Sequence, residues 1–306
     1  MKINEGYLLL NKKPGYSSFE SLFAVKKALG TGKVCHTGTL DKFADGLLVV
    51  LAGRAVKLSA WFSLCDKRYY GRIKIGEETD TLDPEGTVIA RAEPCSREAF
   101  ESAIPGFVGE ILQAPPEYSA LHVNGTRAHL LARRGIALKM EKRPVTVYRL
   151  DLVSWDPPFA DINVHCSKGT YIRSLARDIA AAAGTRARLA ALTRTAVGNF
   201  SLDEALSPPD PEHAGRESEE EREAIRGALM PLSADLFERR LGIPVLEIGE
   251  KEAAAVSHGA SLRFLPDGLP GKETAGTAAL FHGGALAALV EKKDGSWKYG
   301  YVTNSG

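Results

Sequence analysis

Cysteine is scarce and scattered. Cys35, Cys65, Cys95 and Cys166 stand alone, with no Cys-x-x-Cys pair among them. That spacing excludes a disulfide framework and offers no zinc-ligand pattern, so no metal is expected and reduced thiols are. Long apolar runs are missing too: nothing approaches the roughly 18 consecutive apolar residues of a membrane span. The first residues, Met1-Lys2-Ile3-Asn4-Glu5-Gly6, lack the charged-then-apolar layout of a signal peptide, and a cytoplasmic protein away from membranes is expected. No internal repeat is visible. Net charge is almost absent: 39 Lys and Arg oppose 38 Asp and Glu. Taken alone, that balance argues against a nucleic-acid partner.

What is present suits a globular chain of about two domains, since 306 residues with 44% apolar content can bury a core without staples. Tyr7–Leu10 reads as a strand. Ser17-Ser18-Phe19-Glu20 has the form of a capping box, and apolar spacing to the stop at Gly30 predicts a helix over 18–29. Residues 31–46, small and polar, predict an ordered loop. Leu47–Leu51 predicts a buried strand, as do the alternations Tyr69–Ile75, Pro144–Leu152 and Ile162–Cys166. Helices are expected from Ser96 to before Pro105 and over Ile172–Ala183, closed by Gly184. The mixture lacks a regular β-α beat and predicts α+β. Residues 207–227 are breaker-rich, then acidic, and predict a solvated loop or surface helix. Asp294-Gly295 between apolar runs predicts a hairpin in a small β unit over 241–306.

The near-zero charge conceals segregation. Residues 121–150 carry seven bases and one acid, residues 165–195 six bases and one acid, and residues 201–240 five bases and eleven acids. Basic segments interleaved with Tyr and His suit a phosphate backbone and stacked bases. A basic groove is therefore expected, with the 201–240 acids facing away from it.

The most unusual stretch is His36-Thr37-Gly38-Thr39-Leu40-Asp41-Lys42-Phe43-Ala44-Asp45-Gly46-Leu47-Leu48. A Gly- and Thr-rich loop running into a buried strand can hold one carboxylate in a cleft. This segment resembles the catalytic motif of the TruB family of tRNA pseudouridine synthases. Six further segments resemble that family in consistent order: Leu8–Ser18, Asp66–Tyr69, Gly76–Gly86, Tyr118-Ser119-Ala120, Arg143-Pro144-Val145 and Cys166–Arg173. The resemblance spans about residues 5–205, and the C-terminal region is only loosely similar to the family's PUA-like tail.

The resemblance implies a fold, an activity and residue roles. The fold would be a mixed, mainly antiparallel sheet with flanking helices over 1–240, a thumb-like segment near 121–140, an acidic insertion near 207–227, and a PUA-like β domain over 241–306. The activity would be isomerisation of the T-loop uridine, position 55, by detaching uracil from C1′, turning it and rejoining it through C5. Asp41 would be the catalytic carboxylate, Arg173 its ion-pair partner, and Tyr69 a ring packed on the uracil that assists proton transfer. Tyr171 and Leu192 would line the uracil pocket. His36 would stack in the T loop, Asp83 would lie near the target nucleotide, and Lys12 would contact substrate or brace the loop. Arg127, Arg133, Arg134 and Lys168 would meet the RNA backbone. No cofactor is implied, because isomerisation has no net redox change. The partner would be tRNA, with the protein a monomer needing no obligate protein partner.

Departures from the family pattern stand at Lys42, usually Pro, which frees one restraint on the loop, and at Asp45, usually Thr. Asp45 puts a second carboxylate four residues from Asp41, and its like charge would raise one of the two pKa values. Rival readings are a non-catalytic RNA-folding module, a guide-RNA-dependent pseudouridylase, and a glycoside hydrolase built on Asp41 with Asp45 or Asp83.

Overall fold

The computed structural model describes residues 5–119, 121–123, 126–127, 131, 140–213, 217–265 and 276–303. Its strands in chain order are β1 (Gly6–Lys12), β2 (Val34–His36), β3 (Asp45–Ala52), β4 (Lys67–Ile75), β5 (Glu77–Thr79), β6 (Val88–Arg91), β7 (Gly109–Gln113), β8 (His122–Val123), β9 (Thr126–Arg127), β10 (Arg143–Asp156), β11 (Phe159–Cys166), β12 (Ala187–Val197), β13 (Phe200–Ser201), β14 (Val245–Glu247), β15 (Thr277–His282), β16 (Ala285–Lys293) and β17 (Ser296–Val302).

The large sheet runs β1-β3-β12-β4-β11-β10-β7, with β2 on β3 and β13 on β12. Its pairings are antiparallel except where β12 meets β3, through Thr193 opposite Asp45 and Arg194 opposite Gly46. The expected α+β architecture is therefore present. Alternation in β4 and β11 sends Ile73, Ile75, Ile162 and Val164 to one face, where the helices Arg97–Ala103 and Ile172–Ala182 cover them with Phe100, Leu175 and Ile179. Each such fully buried side chain contributes about 1.5–3 kcal/mol. β1 and β3 are covered on both faces and so read as unbroken apolar runs.

Boundaries shift where local chemistry decides. Glu20 and Ser17 do exchange hydrogen bonds as a capping box, but they close a 3-10 turn, and the α-helix starts only at Phe23. Gly30, with φ +62°, ends it. The expected loop over 31–46 contains β2, which zips Val34–His36 onto β3. The acidic stretch includes the expected surface helix, Glu219–Gly227, whose glutamates are exposed and whose Ile225 is buried against Ala24, Val25 and Ala28.

The second sheet runs β14-β15-β16-β17. Its β16–β17 turn holds Asp294 and Gly295 at φ +53° and +76°, as the Asp-Gly signal anticipates. Phe281, Leu289 and Tyr301 of this sheet share one apolar cluster with Tyr7 and Phe200 of the large one and with Phe62 of the short helix Ser59–Ser63.

Candidate active site around Asp41 and Arg173

The loop between β2 and β3 carries Asp41, and neighbouring segments hold it from several sides. The Ser18 hydroxyl donates to the Leu40 carbonyl and accepts from the Leu40 amide at 2.8 Å. The Gly15 amide donates to the Lys42 carbonyl at 2.8 Å. Lys12 is fully buried and gives its ammonium to the carbonyls of Lys13, Lys42 and Ala44 at 3.0, 3.3 and 2.5 Å. An ammonium buried on three carbonyls is in the position that bracing the loop needs.

Burial pulls the Lys12 pKa down to about 8, against the attraction of Asp45 and Asp41. Unfolded, this lysine titrates near 10.5, so between pH 8 and 10.5 the unfolded chain holds the extra proton and stability from this group rises with pH. The stability deficit of Lys12→Met relative to wild type therefore widens from pH 8 to pH 10.5, as urea midpoints at the two pH values would show. A constant deficit would contradict the placement.

Arg173 sits in the first turn of helix Ile172–Ala182, only 4% exposed. The helix start is fixed by Gln113, whose amide side chain accepts from the Tyr171 N–H and donates to the Tyr171 carbonyl. From there the guanidinium spans two carboxylates. Nε lies 2.8 Å from Asp41 Oδ2, Nη2 donates to Asp41 Oδ1 at 3.0 Å, and Nη1 donates to Asp83 Oδ2 at 3.2 Å. Nη1 also reaches the Thr81 carbonyl and Nη2 the Tyr118 carbonyl. Asp83 additionally accepts from the Thr81 hydroxyl and the Glu85 amide. Between them Leu82 has φ +62°, a strained conformation for a leucine.

Burial pushes the Asp41 carboxyl above its ordinary value; Arg173 opposes this and Asp83 adds to it. The like charge acting on Asp41 is thus Asp83 rather than Asp45, whose charge is felt by Lys12 instead. A cleft of about 450 Å³ opens over the pair, lined by Asp41, Lys42, Asp80, Thr81, Asp83, Glu85, Tyr118 and Arg173. Four carboxylates against two bases correct the expectation of a basic groove at this spot. The bases of the 165–195 segment are largely spent on internal pairs: Arg177 on Asp178, Arg186 on Glu78, Arg188 on Glu77. Nor do all the 201–240 acids face away. Asp210 pairs with Lys13 at 2.8 Å, one turn from the Gly15 amide that holds the loop.

Tyr69 is half-buried beside the core, its phenol pKa raised by burial and drawn down by Arg194. The Tyr171 phenol is likewise raised by burial and lies near Asp41 and Arg173. His36 has its pKa lowered by burial and by Arg194, which keeps it neutral at pH 7. Leu192 is 6% exposed and packs in the core with Ile73 and Leu189, outside the cleft lining. Lys168 is exposed in the loop before Thr170. Arg127 lies on β9, and Arg133 and Arg134 fall outside the described residues. Among the described residues no cluster of His, Cys, Asp or Glu is arranged to hold a metal, and no helix is long and apolar enough to cross a membrane.

Sequence reasoning missed Arg194, counting it as surface charge. It is 2% exposed. Nε donates to the Leu47 carbonyl at 2.7 Å and Nη2 to the Gly38 carbonyl at 3.1 Å, so both ends of the Asp41 loop hang from one guanidinium. The fit requires Gly46: its φ is +98°, and a Cβ there would stand 2.4 Å from the Arg194 carbonyl. A conditional signal was available, since an Arg alternating in register with Leu192 cannot reach solvent if its strand is central.

A carboxylate-arginine-carboxylate bridge thus stands at one end of a mixed sheet, beside an open cleft. Comparison with known proteins narrows this. Residues 26–172 match the family model described as TruB family pseudouridylate synthase (N terminal domain). The chain is 40% identical to the tRNA pseudouridine synthase B of Thiobacillus denitrificans, over 95% of this chain and 93% of that one. It is 44% identical to the protein of the same name from Borreliella burgdorferi, over 66% of this chain and 73% of that one. The crystal structure of a Cbf5-Nop10-Gar1 complex matches with a TM-score of 0.67 at 26% identity, covering 95% of this chain and 79% of that chain. This chain belongs to the TruB family of pseudouridylate synthases.

Proposed function

We propose that the protein is a tRNA pseudouridine synthase that isomerises the T-loop uridine, position 55. The observation that carries the reading is the Asp41–Arg173–Asp83 bridge: one carboxylate, a third of its side chain still open to the cleft, aimed by a guanidinium that cannot turn away and that opposes the rise in its pKa caused by burial. Breaking the bond between N1 and C1′ builds positive character on the sugar carbon, and a fixed anion stabilises it or traps it covalently. The uracil, once free, turns; C5 bonds to C1′, the C5 proton leaves and N1 ends protonated.

Asp41 carries the chemistry in this reading, and Arg173 orients it. The Tyr69 ring packs on the uracil, its phenol protonated at neutral pH. Tyr171 closes the pocket, His36 stacks as a neutral ring in the T loop, and Asp83 works through Arg173. Lys168 and the segment holding Arg127, Arg133 and Arg134 meet RNA phosphates. The catalytic unit comprises residues 1–240 and the PUA-like unit 241–306, and the protein acts on tRNA as a cytoplasmic monomer without a protein partner.

The test is to incubate unmodified tRNA transcript with the purified protein and map pseudouridine by chemical probing. A single product at the T-loop uridine is expected. Product at another uridine would overturn the substrate, and no product with intact binding would favour an RNA-folding role.

A further inference from the structure

We propose that Lys42 receives a phosphate of the RNA backbone beside the target uridine, an assignment that rests on the activity proposed above. Among the described residues the cleft presents carboxylates at Asp41, Asp80, Asp83 and Glu85, and two cations, Arg173 and Lys42. An incoming phosphodiester must find a positive group among them. Arg173 cannot serve. Its Nη groups donate to Asp41, Asp83 and the carbonyls of Thr81 and Tyr118, and its Nε lies 2.8 Å from the second Asp41 oxygen without completing a hydrogen bond, all on a side chain only 4% exposed. Lys12 and Arg194, the next cations inward, are buried and committed to carbonyls.

Lys42 differs on every count. Its side chain is exposed and lines the cleft, and among the described residues its ammonium has neither an ion pair nor a hydrogen bond. Its main chain is nevertheless fixed, because its carbonyl accepts from the Gly15 amide and the Lys12 ammonium. A flexible four-carbon stem on a fixed root presents a hydrated point charge, which suits a phosphate that arrives from solvent. Among the described residues, the carboxylates around it leave the phosphate no other favourable place in the cleft. The residue that frees one loop restraint thus adds a substrate contact, while Ser18, Gly15 and Lys12 supply the restraint.

The experiment measures binding of unmodified tRNA transcript by the full-length protein, as filter-binding Kd at several salt concentrations, for wild type, Lys42→Gln and Lys42→Arg. Losing one phosphate contact flattens the slope of log K against log salt by about 0.7–0.9 and weakens binding by about three- to tenfold in Lys42→Gln. Lys42→Arg restores the slope. Transcripts with a neutral methylphosphonate on either side of the T-loop uridine locate the contact: one of them weakens wild type and leaves Lys42→Gln unaffected. In turnover the loss falls on KM rather than kcat. An unchanged salt slope in Lys42→Gln, or methylphosphonates that weaken both proteins equally, would overturn the assignment. Failure of wild type to form pseudouridine would overturn the activity instead, and the binding comparison would still report on Lys42.

Discussion

Asn at position 41 lowers pseudouridine formation by about 10³-fold or more and leaves tRNA affinity within about threefold of wild type. The two side chains are nearly the same size, and the Asn oxygen still accepts from Arg173, so the loop keeps its shape. What disappears is the charge. An amide cannot stabilise a cation-like sugar carbon or bond to it, and a 10³-fold loss corresponds to about 4 kcal/mol of barrier. Single-turnover assays on unmodified transcript, beside filter binding, separate the two effects. A variant that retains a tenth of the wild-type rate would move the chemistry to another residue, and a parallel collapse of binding would make Asp41 a structural anion.

Arg173→Ala strikes the same bridge from the other side, and its largest effect is on stability. It leaves Asp41 and Asp83 facing each other without the guanidinium that joins them. Removing one partner of a buried pair costs about 3–5 kcal/mol. The loss depends on pH with a definite sign. The Asp41 carboxyl is already raised by burial and by Asp83 while Arg173 opposes both, so deleting Arg173 raises it further. A carboxyl whose folded pKa exceeds its unfolded one holds a proton longer in the folded state, and stability falls as pH rises between the two values. The deficit of Arg173→Ala against wild type is therefore smaller at pH 5 than at pH 8. Chemical denaturation at the two pH values measures it, and equal deficits would show that carboxylate repulsion is not the cause. Arg173→Lys recovers only part, since a point charge cannot fork across two carboxylates.

Much of the architecture was legible because it rests on local rules. The apolar run Leu47–Leu51, the alternation in Tyr69–Ile75 and the Gly184 stop lie within β3, β4 and the end of helix Ile172–Ala182. The three residues of β2 were not legible, because so short a segment has no period and exists only by pairing with β3. The residues that come together at Asp41 were named by resemblance, and their joint geometry could not have been. Asp83, expected only near the target nucleotide, ends up in an ion-pair bridge; Arg194 and Lys12 look like surface charges and are buried. Summing charge by segment failed at the cleft for the same reason: it cannot tell a base that faces RNA from one, such as Arg188, already paired inside the protein with Glu77.

The strand order carries a consequence for the order of assembly. β12 lies between β3 and β4, so the N-terminal strands and the β4-β11-β10 block join only when residues 187–197 arrive. The same strand brings Arg194, which suspends the Asp41 loop from positions some 150 residues apart in sequence. A nascent chain therefore holds its Asp41 loop, and later its Tyr69 and Arg173, without a working site until nearly two-thirds of its length has been synthesised. Contacts of such long separation form slowly, and a half-made enzyme of this topology meets RNA in the cell without the means to modify it.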